Sequence, residues 1–201
     1  ANSPASEPLV IKVVGHQWWW EVEYPTHDIK TANEIHIPVG VPVRFELEAG
    51  DVIHSFWVPE LAGKIDMIPG QTNILTVQAD TPGVYFGECA EFCGVQHAKM
   101  AFIVVADSDE QFETWLANQS QPAAEPADPD AVRGKALFLQ SDCVQCHAIQ
   151  GTSATGVLGP DLTHLASRRT LAAGMLPNNR GNLAGWVADP QSIKPGNFMP
   201  P

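Results

Sequence analysis

Short runs in which apolar and polar residues alternate fill the chain between residues 9 and 106. In VPVRFELEA (41–49), the odd-numbered apolar residues from Val41 to Leu47 share one face, and charged residues take the other. Alternation of this period is typical of a half-buried strand. About eight such runs, separated by Pro, Gly and acidic turns, predict an antiparallel sandwich or barrel with a Greek-key topology. The runs are VIKVV, WWWEVEY, EIHI, VPVRFELEA, VIHSFWV, NILTVQA, VYFGE and MAFIVVA.

A helix is predicted directly after the last of these runs, in DSDEQFETWLANQ. Asp107 can cap the helix, and Glu110 lies three residues further on, which is the spacing of a capping pattern. Phe112, Trp115 and Leu116 share one helical face, which would pack on the sandwich and close the first domain.

The segment SQPAAEPADPD (120–130) has no large apolar side chain and predicts an extended linker. We therefore predict a mainly β domain over 1–119 and a small all-α domain over 131–201. The second domain has few strand signals, and a loop-rich domain of this size needs a covalent or metal staple. Its helical candidates are DAVRGKALFLQSDC, LTHLASR and NLAGWVAD.

The composition restricts the classes of partner. The formal net charge is −12, and the acidic excess lies in the first part of the chain, with 5 Lys/Arg against 17 Asp/Glu up to residue 120. Such a surface repels nucleic acid and attracts a cationic partner, although solubility alone explains it equally well. The sequence contains no apolar run long enough for a membrane-spanning helix.

The pentapeptide CVQCH (143–147) predicts covalent attachment of one haem c. The thiols of Cys143 and Cys146 lie on one turn and can add to the two vinyl groups of haem, while His147 reaches the iron. The sixth iron ligand should come from further along the chain, where Met175, Met199 and His164 are the candidates.

The segment IKPGNFMP, which contains Met199, resembles the proline-bordered ligand loop of small class I c-type cytochromes. That resemblance favours Met199 over Met175 and implies that the carbonyl of Pro160, in GPDL, accepts a hydrogen bond from His147. Gly134 and Phe138 match first-helix positions that pack against a C-terminal helix in the family. The given sequence stops two residues after Met199, so this C-terminal helix is expected to be missing.

Four side chains suited to soft metals lie in CAEFCGVQHAKM (89–100): Cys89, Cys93, His97 and Met100. Two disulfides would be the ordinary alternative for two cysteine pairs in an exported protein. Thiolate, imidazole and thioether together select copper over zinc, calcium or magnesium. If both thiolates bridge, they can hold two copper ions, and each ion then requires one histidine.

The second histidine must lie upstream of this loop. His54 lies on an apolar run beside Phe56 and Trp57, where an unpaired polar ring would be unfavourable. The remaining upstream histidines are alternatives: His16, His27 and His36.

A histidine in this context, followed by CxExCxxxHxxM on a cupredoxin-like sandwich, resembles the binuclear copper A domain in subunit II of cytochrome c oxidases. GHQWWWEVEYP and IDMIPG resemble two further segments of that family. The resemblance implies that Cys89 and Cys93 bridge two coppers and that His54 and His97 bind one each. It further implies that Met100 and the Glu91 backbone carbonyl are weak ligands, that the Glu91 side chain binds a magnesium ion shared with subunit I, and that electrons enter through Trp18.

The order of the parts, a copper A domain before a haem c domain, resembles subunit II of caa3-type oxidases. This implies electron transfer from haem c to copper A and on to oxidase subunit I. The chain is then part of an oxidoreductase but by itself only transfers electrons, which it receives from a soluble cytochrome c or another high-potential carrier. The alternatives are the copper A subunit of a nitric oxide or nitrous oxide reductase, or a copper carrier or storage protein.

Subunit II in this family also carries a membrane anchor. We therefore expect the sequence to be a soluble fragment of a protein held in the cell membrane, with its domains facing the periplasm or the outer surface.

Overall fold

The alternating runs of the first domain form a sandwich of two five-stranded sheets. The computed structural model describes residues 8–201. In chain order the strands are β1 Leu9–His16, β2 Trp19–Tyr24, β3 Ile29–Ala32, β4 Glu34–Pro38, β5 Val43–Ala49, β6 His54–Trp57, β7 Ile65–Met67, β8 Asn73–Val77, β9 Gly83–Cys89 and β10 Ala101–Asp107. One sheet has the order β3-β2-β1-β5-β8 and the other β4-β10-β9-β6-β7.

The predicted sandwich is confirmed, but its expected antiparallel pairing is wrong for two strand pairs. β1 runs parallel to β5, with Val13 opposite Leu47, and β10 runs parallel to β4. Side-chain alternation decides which face a residue takes and carries no information on the direction of the neighbouring strand. Val41 was also placed wrongly, because it precedes β5 and is 37% exposed.

Four aromatic rings form the centre of the sandwich next to His54. Trp20 packs edge-on against Phe102 at a centroid distance of 5.0 Å and against Phe56 at 5.9 Å. Phe56 stacks on Phe102 at 4.6 Å and lies 5.3 Å from Phe45. Aromatic rings bury a large area each, so this cluster fixes the position of β6, which carries Phe56 and His54.

Helix α1, Asp109–Gln119, follows β10 as predicted, but its cap is one residue later than expected. Ser108, and not Asp107, accepts a hydrogen bond from the Gln111 backbone N–H, and Gln111 rather than Glu110 completes the capping box. The Asp107 carboxylate instead pairs with the ring of His36 at 2.6 Å, which removes it as a cap. The predicted inner face of the helix is confirmed, since its three members pack against the sandwich: Phe112, Trp115 and Leu116.

The second domain is helical and loop-rich, as predicted. A short antiparallel hairpin, which the sequence did not predict, lies between its helices, and LTHLASR forms only a single 3-10 turn over Leu165–Ser167. The elements are α2 Pro129–Gln140, α3 Cys143–Cys146, β11 Thr170–Leu171, β12 Leu176–Pro177, α4 Arg180–Ala188 and α5 Pro190–Ile193.

The segment between the domains packs on the second domain. Residues 121–128 contain no helix or strand, and α2 begins at Pro129, inside the segment predicted as linker. The Ala123 N–H donates to Gln150 O at 3.1 Å, and the His164 ring bonds Gln121 O at 2.8 Å. Among the described residues, no helix is long and apolar enough to cross a membrane.

Candidate copper and haem sites

The two cysteines of the first pair lie close together at the end of β9. Cys89 is the last residue of β9, and Cys93 lies in the loop that leads to a 3-10 turn at His97–Lys99. Their sulfur atoms are 3.7 Å apart, and both thiols are buried and free. A disulfide would need a sulfur–sulfur distance near 2.05 Å. The separation is instead compatible with two sulfurs that contact common metal ions.

His54 reaches this sulfur pair from the first position of β6. The residue is fully buried, with its Nδ1 3.9 Å from Cys89 Sγ and its Nε2 2.8 Å from Asp51 Oδ1. Asp51 therefore orients the ring and leaves Nδ1 toward the sulfurs, the arrangement found around metal-binding histidines. Gly15 makes room for the ring, because a Cβ there would lie 2.9 Å from its carbon atoms.

The other predicted donors surround the second sulfur and the loop backbone. His97 Nδ1 lies 3.8 Å from Cys93 Sγ, and Met100 Sδ lies at the same distance from that sulfur. The Glu91 carbonyl oxygen is 3.2 Å from Cys89 Sγ, while the Glu91 side chain is exposed. The structure thus brings together every side chain and the carbonyl that the sequence suggested for copper.

The donor chemistry of the cluster fits copper. Donor atoms of His54, Cys89 and Cys93 lie within 4.8 Å of one another in buried surroundings. The pKa of the Cys89 thiol is held well below its ordinary value, because its hydrogen bond with Cys93 and the nearby His54 ring stabilise the thiolate. Thiolate is the form of cysteine that binds metals, and a thiolate–imidazole–thioether set is the soft kind that copper prefers.

None of the other upstream histidines belongs to the cluster that His54 forms with the two cysteines. The His16 ring bonds Glu21 at 2.9 Å and stacks on Trp19. The His36 ring is held by Asp107 at 2.6 Å and by Glu34 at 3.0 Å. His27 lies in an exposed 3-10 turn.

Trp18 lies directly against the sulfur loop. Its indole Nε1 donates to Cys93 O at 2.9 Å, and the Gln17 side-chain amide donates to the same oxygen at 2.7 Å. The indole is only 8% exposed, and its other face meets Phe198 of the second domain at a centroid distance of 5.1 Å. Trp18 therefore connects the sulfur loop to the cytochrome part of the chain.

His147 has the geometry of a proximal haem ligand. Its Nδ1 donates to Pro160 O at 2.7 Å, the contact expected from the sequence, and this leaves Nε2 available for iron. Gly159 closes around the ring, since a Cβ there would lie 2.7 Å from its Cε1. Cys143 and Cys146 lie on the single-turn helix α3 just before it, partly exposed and free.

The packing of the second domain fits a large apolar prosthetic group. Of the described residues after 120, the only buried apolar ones are Ala154, Leu171, Ala173 and Pro190. Large apolar side chains instead remain exposed, with Leu158 at 75% and Val157 at 80%. A domain with so little core of its own requires a further apolar surface, and a covalent haem supplies one.

The candidate sixth ligands occupy different settings. Met199 is part of a held loop, because the Gln191 side-chain amide donates to Met199 O and the Met199 N–H donates to Asn197 Oδ1. Met175 lies in the β11–β12 hairpin and is 37% exposed. The His164 ring is bonded to Gln121 O, which removes it as a free ligand.

Comparison with known proteins identifies the family. Residues 26–107 match the family described as cytochrome C oxidase subunit II, periplasmic domain, and residues 131–201 match the cytochrome c family. The crystal structure of the periplasmic domain of subunit II of cytochrome oxidase from Bradyrhizobium japonicum is 31% identical, with a TM-score of 0.55, and the match covers 95% of that chain and 58% of this one. The chain belongs to the cytochrome c oxidase subunit II family.

Curated subunit II proteins match the chain over both domains. Cytochrome c oxidase subunit 2 of Alkalihalophilus pseudofirmus is 45% identical over 192 residues, which are 96% of this chain and 55% of that protein. The Bacillus subtilis protein is 35% identical over 203 residues, 97% of this chain and 57% of that protein. The chain thus spans about half the length of the curated subunit II proteins it matches. The predicted combination of a cupredoxin-like domain and a cytochrome c domain is confirmed.

Proposed function

We propose that this subunit II chain carries electrons from a covalent haem c to a binuclear copper A centre, and from there to the oxygen-reducing subunit I of a caa3-type oxidase. The observation that carries the proposal is the convergence of His54, Cys89 and Cys93 on one buried point, in a chain that also contains CVQCH. The isolated chain transfers electrons and performs no bond chemistry of its own. The relatives named above are cytochrome c oxidase subunits, which favours an oxidase over a nitric oxide or nitrous oxide reductase and over a copper carrier.

In this proposal the chain's residues form a rigid cage for two copper ions. Cys89 and Cys93 would be shared by the two ions, and His54 and His97 would each hold one. Met100 and the Glu91 carbonyl complete the set as weak ligands. When bound, the copper pair supplies one-electron redox chemistry. Burial of the Cys89, Cys93 and Met100 side chains and the hydrogen bond between His54 and Asp51 would hold the ligands still, so that little rearrangement would accompany a change of charge at the site.

The cytochrome domain contributes the second electron-carrying group. Cys143 and Cys146 would hold the haem covalently, and His147 and Met199 would bind its iron. The bond from His147 to Pro160 O fixes the ring and raises its basicity as a ligand. The bonds that Gln191 makes to the loop hold Met199 in a defined position.

In this proposal, subunit I binds the surface that Glu91 and Phe92 form in the loop between the two cysteines. Phe92 is 74% exposed beside the exposed Glu91 side chain, and an exposed aromatic next to an acid is suited to a partner surface. Glu91 would there share a magnesium ion with subunit I. The full-length protein would be anchored in the cell membrane with these domains on its periplasmic or outer side, and a soluble high-potential carrier such as a cytochrome c would reduce the haem.

Electron paramagnetic resonance of the copper-loaded chain tests the copper part of the proposal. We expect hyperfine structure from one electron shared equally by two coppers, and its loss in Cys93→Ser. A Cys143→Ser variant is the matched control, because it changes a thiol in the other domain. A one-copper spectrum in the unaltered chain would contradict the proposal.

A further inference from the structure

Hydrogen bonds join the two domains. They run from the loop that contains Cys93, His97 and Met100 to the last residues of the chain. Lys99 Nζ donates to Ile193 O at 2.7 Å. The Gln96 side-chain amide donates to Pro195 O. Both donors lie in the loop that carries the proposed copper ligands, and the acceptors are the last residue of α5 and a residue between α5 and Met199. The contact therefore joins the two segments that carry the redox groups.

Lys194 lies inside this interface. Its residue is only 3% exposed, and its Nζ donates to Trp18 O at 3.2 Å and to Ala172 O at 3.3 Å. Burial, with a smaller contribution from the nearby charge of Lys99, lowers the pKa of its ammonium to about 8. A buried cation is costly unless carbonyls or anions satisfy it, and here one carbonyl comes from each domain.

The backbones of the two domains also approach closely. The Ala101 N–H at the start of β10 donates to Ala173 O at 3.0 Å, although Ala101 belongs to the sandwich and Ala173 to the β11–β12 hairpin. A Cβ on Gly174 would lie 2.9 Å from the Ala101 Cβ, and Gly174 has a φ of +81°, so only glycine fits at this contact. The fit between Ala101 of the sandwich and the hairpin at Ala173 and Gly174 indicates that the second domain docks on the first in one position.

This docking covers Trp18 with the cytochrome domain. The Phe198 ring lies 5.1 Å from the Trp18 ring, and Phe198 directly precedes Met199. On its other side, Trp18 donates to the carbonyl of Cys93. Trp18 is thus in contact with a residue next to the proposed iron ligand and with the backbone of a proposed copper ligand.

We propose that Lys194 locks the cytochrome domain onto the copper domain, so that Trp18 is a relay within this chain and is closed to a separate electron carrier. Lys194 is a positioning residue, since it contacts neither redox group. External carriers must then deliver their electrons to the haem. The relay part rests on the proposed function above, whereas the locked docking rests on the interface alone.

Amide hydrogen exchange of the haem-loaded 201-residue chain tests the docking. Lys194→Glu would set a carboxylate against two carbonyl oxygens, and we expect exchange of the Ala101 amide to become about tenfold faster or more. Val104, in the middle of β10, reports unfolding of the sandwich and should not change. Arg180→Glu is the control, because it makes the same change of charge at an exposed position of the same domain. The proposal would be overturned if the Ala101 amide exchanged at the same rate in Lys194→Glu and in the Arg180→Glu control.

Rapid-mixing kinetics of the haem- and copper-loaded chain tests the relay. In Lys194→Glu we expect slower electron transfer from haem to copper and faster direct reduction of copper by an added reduced cytochrome c. The relay would be overturned if Ala101 exchanged faster in Lys194→Glu while the rates of haem-to-copper transfer and of direct copper reduction both stayed unchanged. If the unaltered chain instead lacks the shared-electron copper spectrum, the proposed function fails while the exchange result still decides the docking.

Discussion

The Nε2 atom of His54 lies 2.8 Å from Asp51 Oδ1, and this contact turns the opposite nitrogen of the ring toward Cys89. Asp51 also accepts hydrogen bonds from the backbone N–H groups of Gln17 and Val52, so its carboxylate is itself fixed. The position of the histidine donor therefore depends on an acidic side chain that does not face the sulfurs.

Replacing Asp51 should weaken copper binding without removing a ligand. Loss of such a supporting carboxylate typically lowers metal affinity by roughly 10- to 100-fold, and we expect this for Asp51→Ala. Asp51→Asn keeps an acceptor oxygen and should lose less copper affinity than Asp51→Ala. Titration against a copper chelator measures both. Equal affinity of Asp51→Ala and the unaltered chain would show that the ring is held by packing alone.

Gly159→Ala should disturb the haem site. The added Cβ would lie 2.7 Å from His147 Cε1, so the ring must turn away from the iron or from Pro160. We expect an altered absorption spectrum of the haem-loaded chain and weaker axial ligation. Gly185→Ala in α4 is the control, because nothing lies within 4 Å of its Cβ, and there alanine should stabilise the helix by up to about 1 kcal/mol.

The two methionine candidates can be separated by their spectra. Met199→Leu should abolish the absorption band that arises from sulfur bound to ferric haem iron, whereas Met175→Leu should leave it in place. Leucine keeps the apolar volume, so the comparison isolates the thioether. Persistence of the band in Met199→Leu and its loss in Met175→Leu would reverse the assignment.

His36 should make the stability of the sandwich depend on pH. Burial opposes its protonation, but the bonds to Asp107 and Glu34 outweigh burial, and the pKa of His36 is raised above its ordinary value of 6.5. The stabilisation is therefore complete below pH 6.5 and is lost as pH rises through the raised pKa. Denaturant unfolding of the chain and of His36→Gln, at a series of pH values, should reveal this difference. An unchanged pH profile in His36→Gln would contradict it.

The members of the candidate copper cluster could be predicted because most of them lie in one loop. Cys89, Cys93, His97 and Met100 lie within twelve residues, and their spacing limits their geometry. His54 is 35 residues from Cys89, and only the likeness to a known domain selected it among the upstream histidines. Asp51 was missed, since an acid three residues before a histidine is too common a pattern to indicate a contact.

The parts that could not be predicted depend on contacts between distant segments. Alternation placed the strands of the sandwich but left their direction open, so the parallel β1–β5 pair was not expected. The contact of Lys194 with Trp18 joins residues 176 positions apart, and a lysine in a proline-rich segment normally lies in solvent. Such a contact follows from the shapes of two folded surfaces, which local patterns do not encode.

The unequal cores of the two domains have a consequence for biogenesis. The sandwich has a continuous aromatic and aliphatic core, whereas the second domain buries few apolar side chains, namely Ala154, Leu171, Ala173 and Pro190. We expect the sandwich to fold unaided and the second domain to fold only once its haem is attached, much as small metal domains fold with their metal. A chain without attached haem would then expose a long unstructured C-terminal segment to proteases. Degradation would therefore remove subunits that cannot transfer electrons.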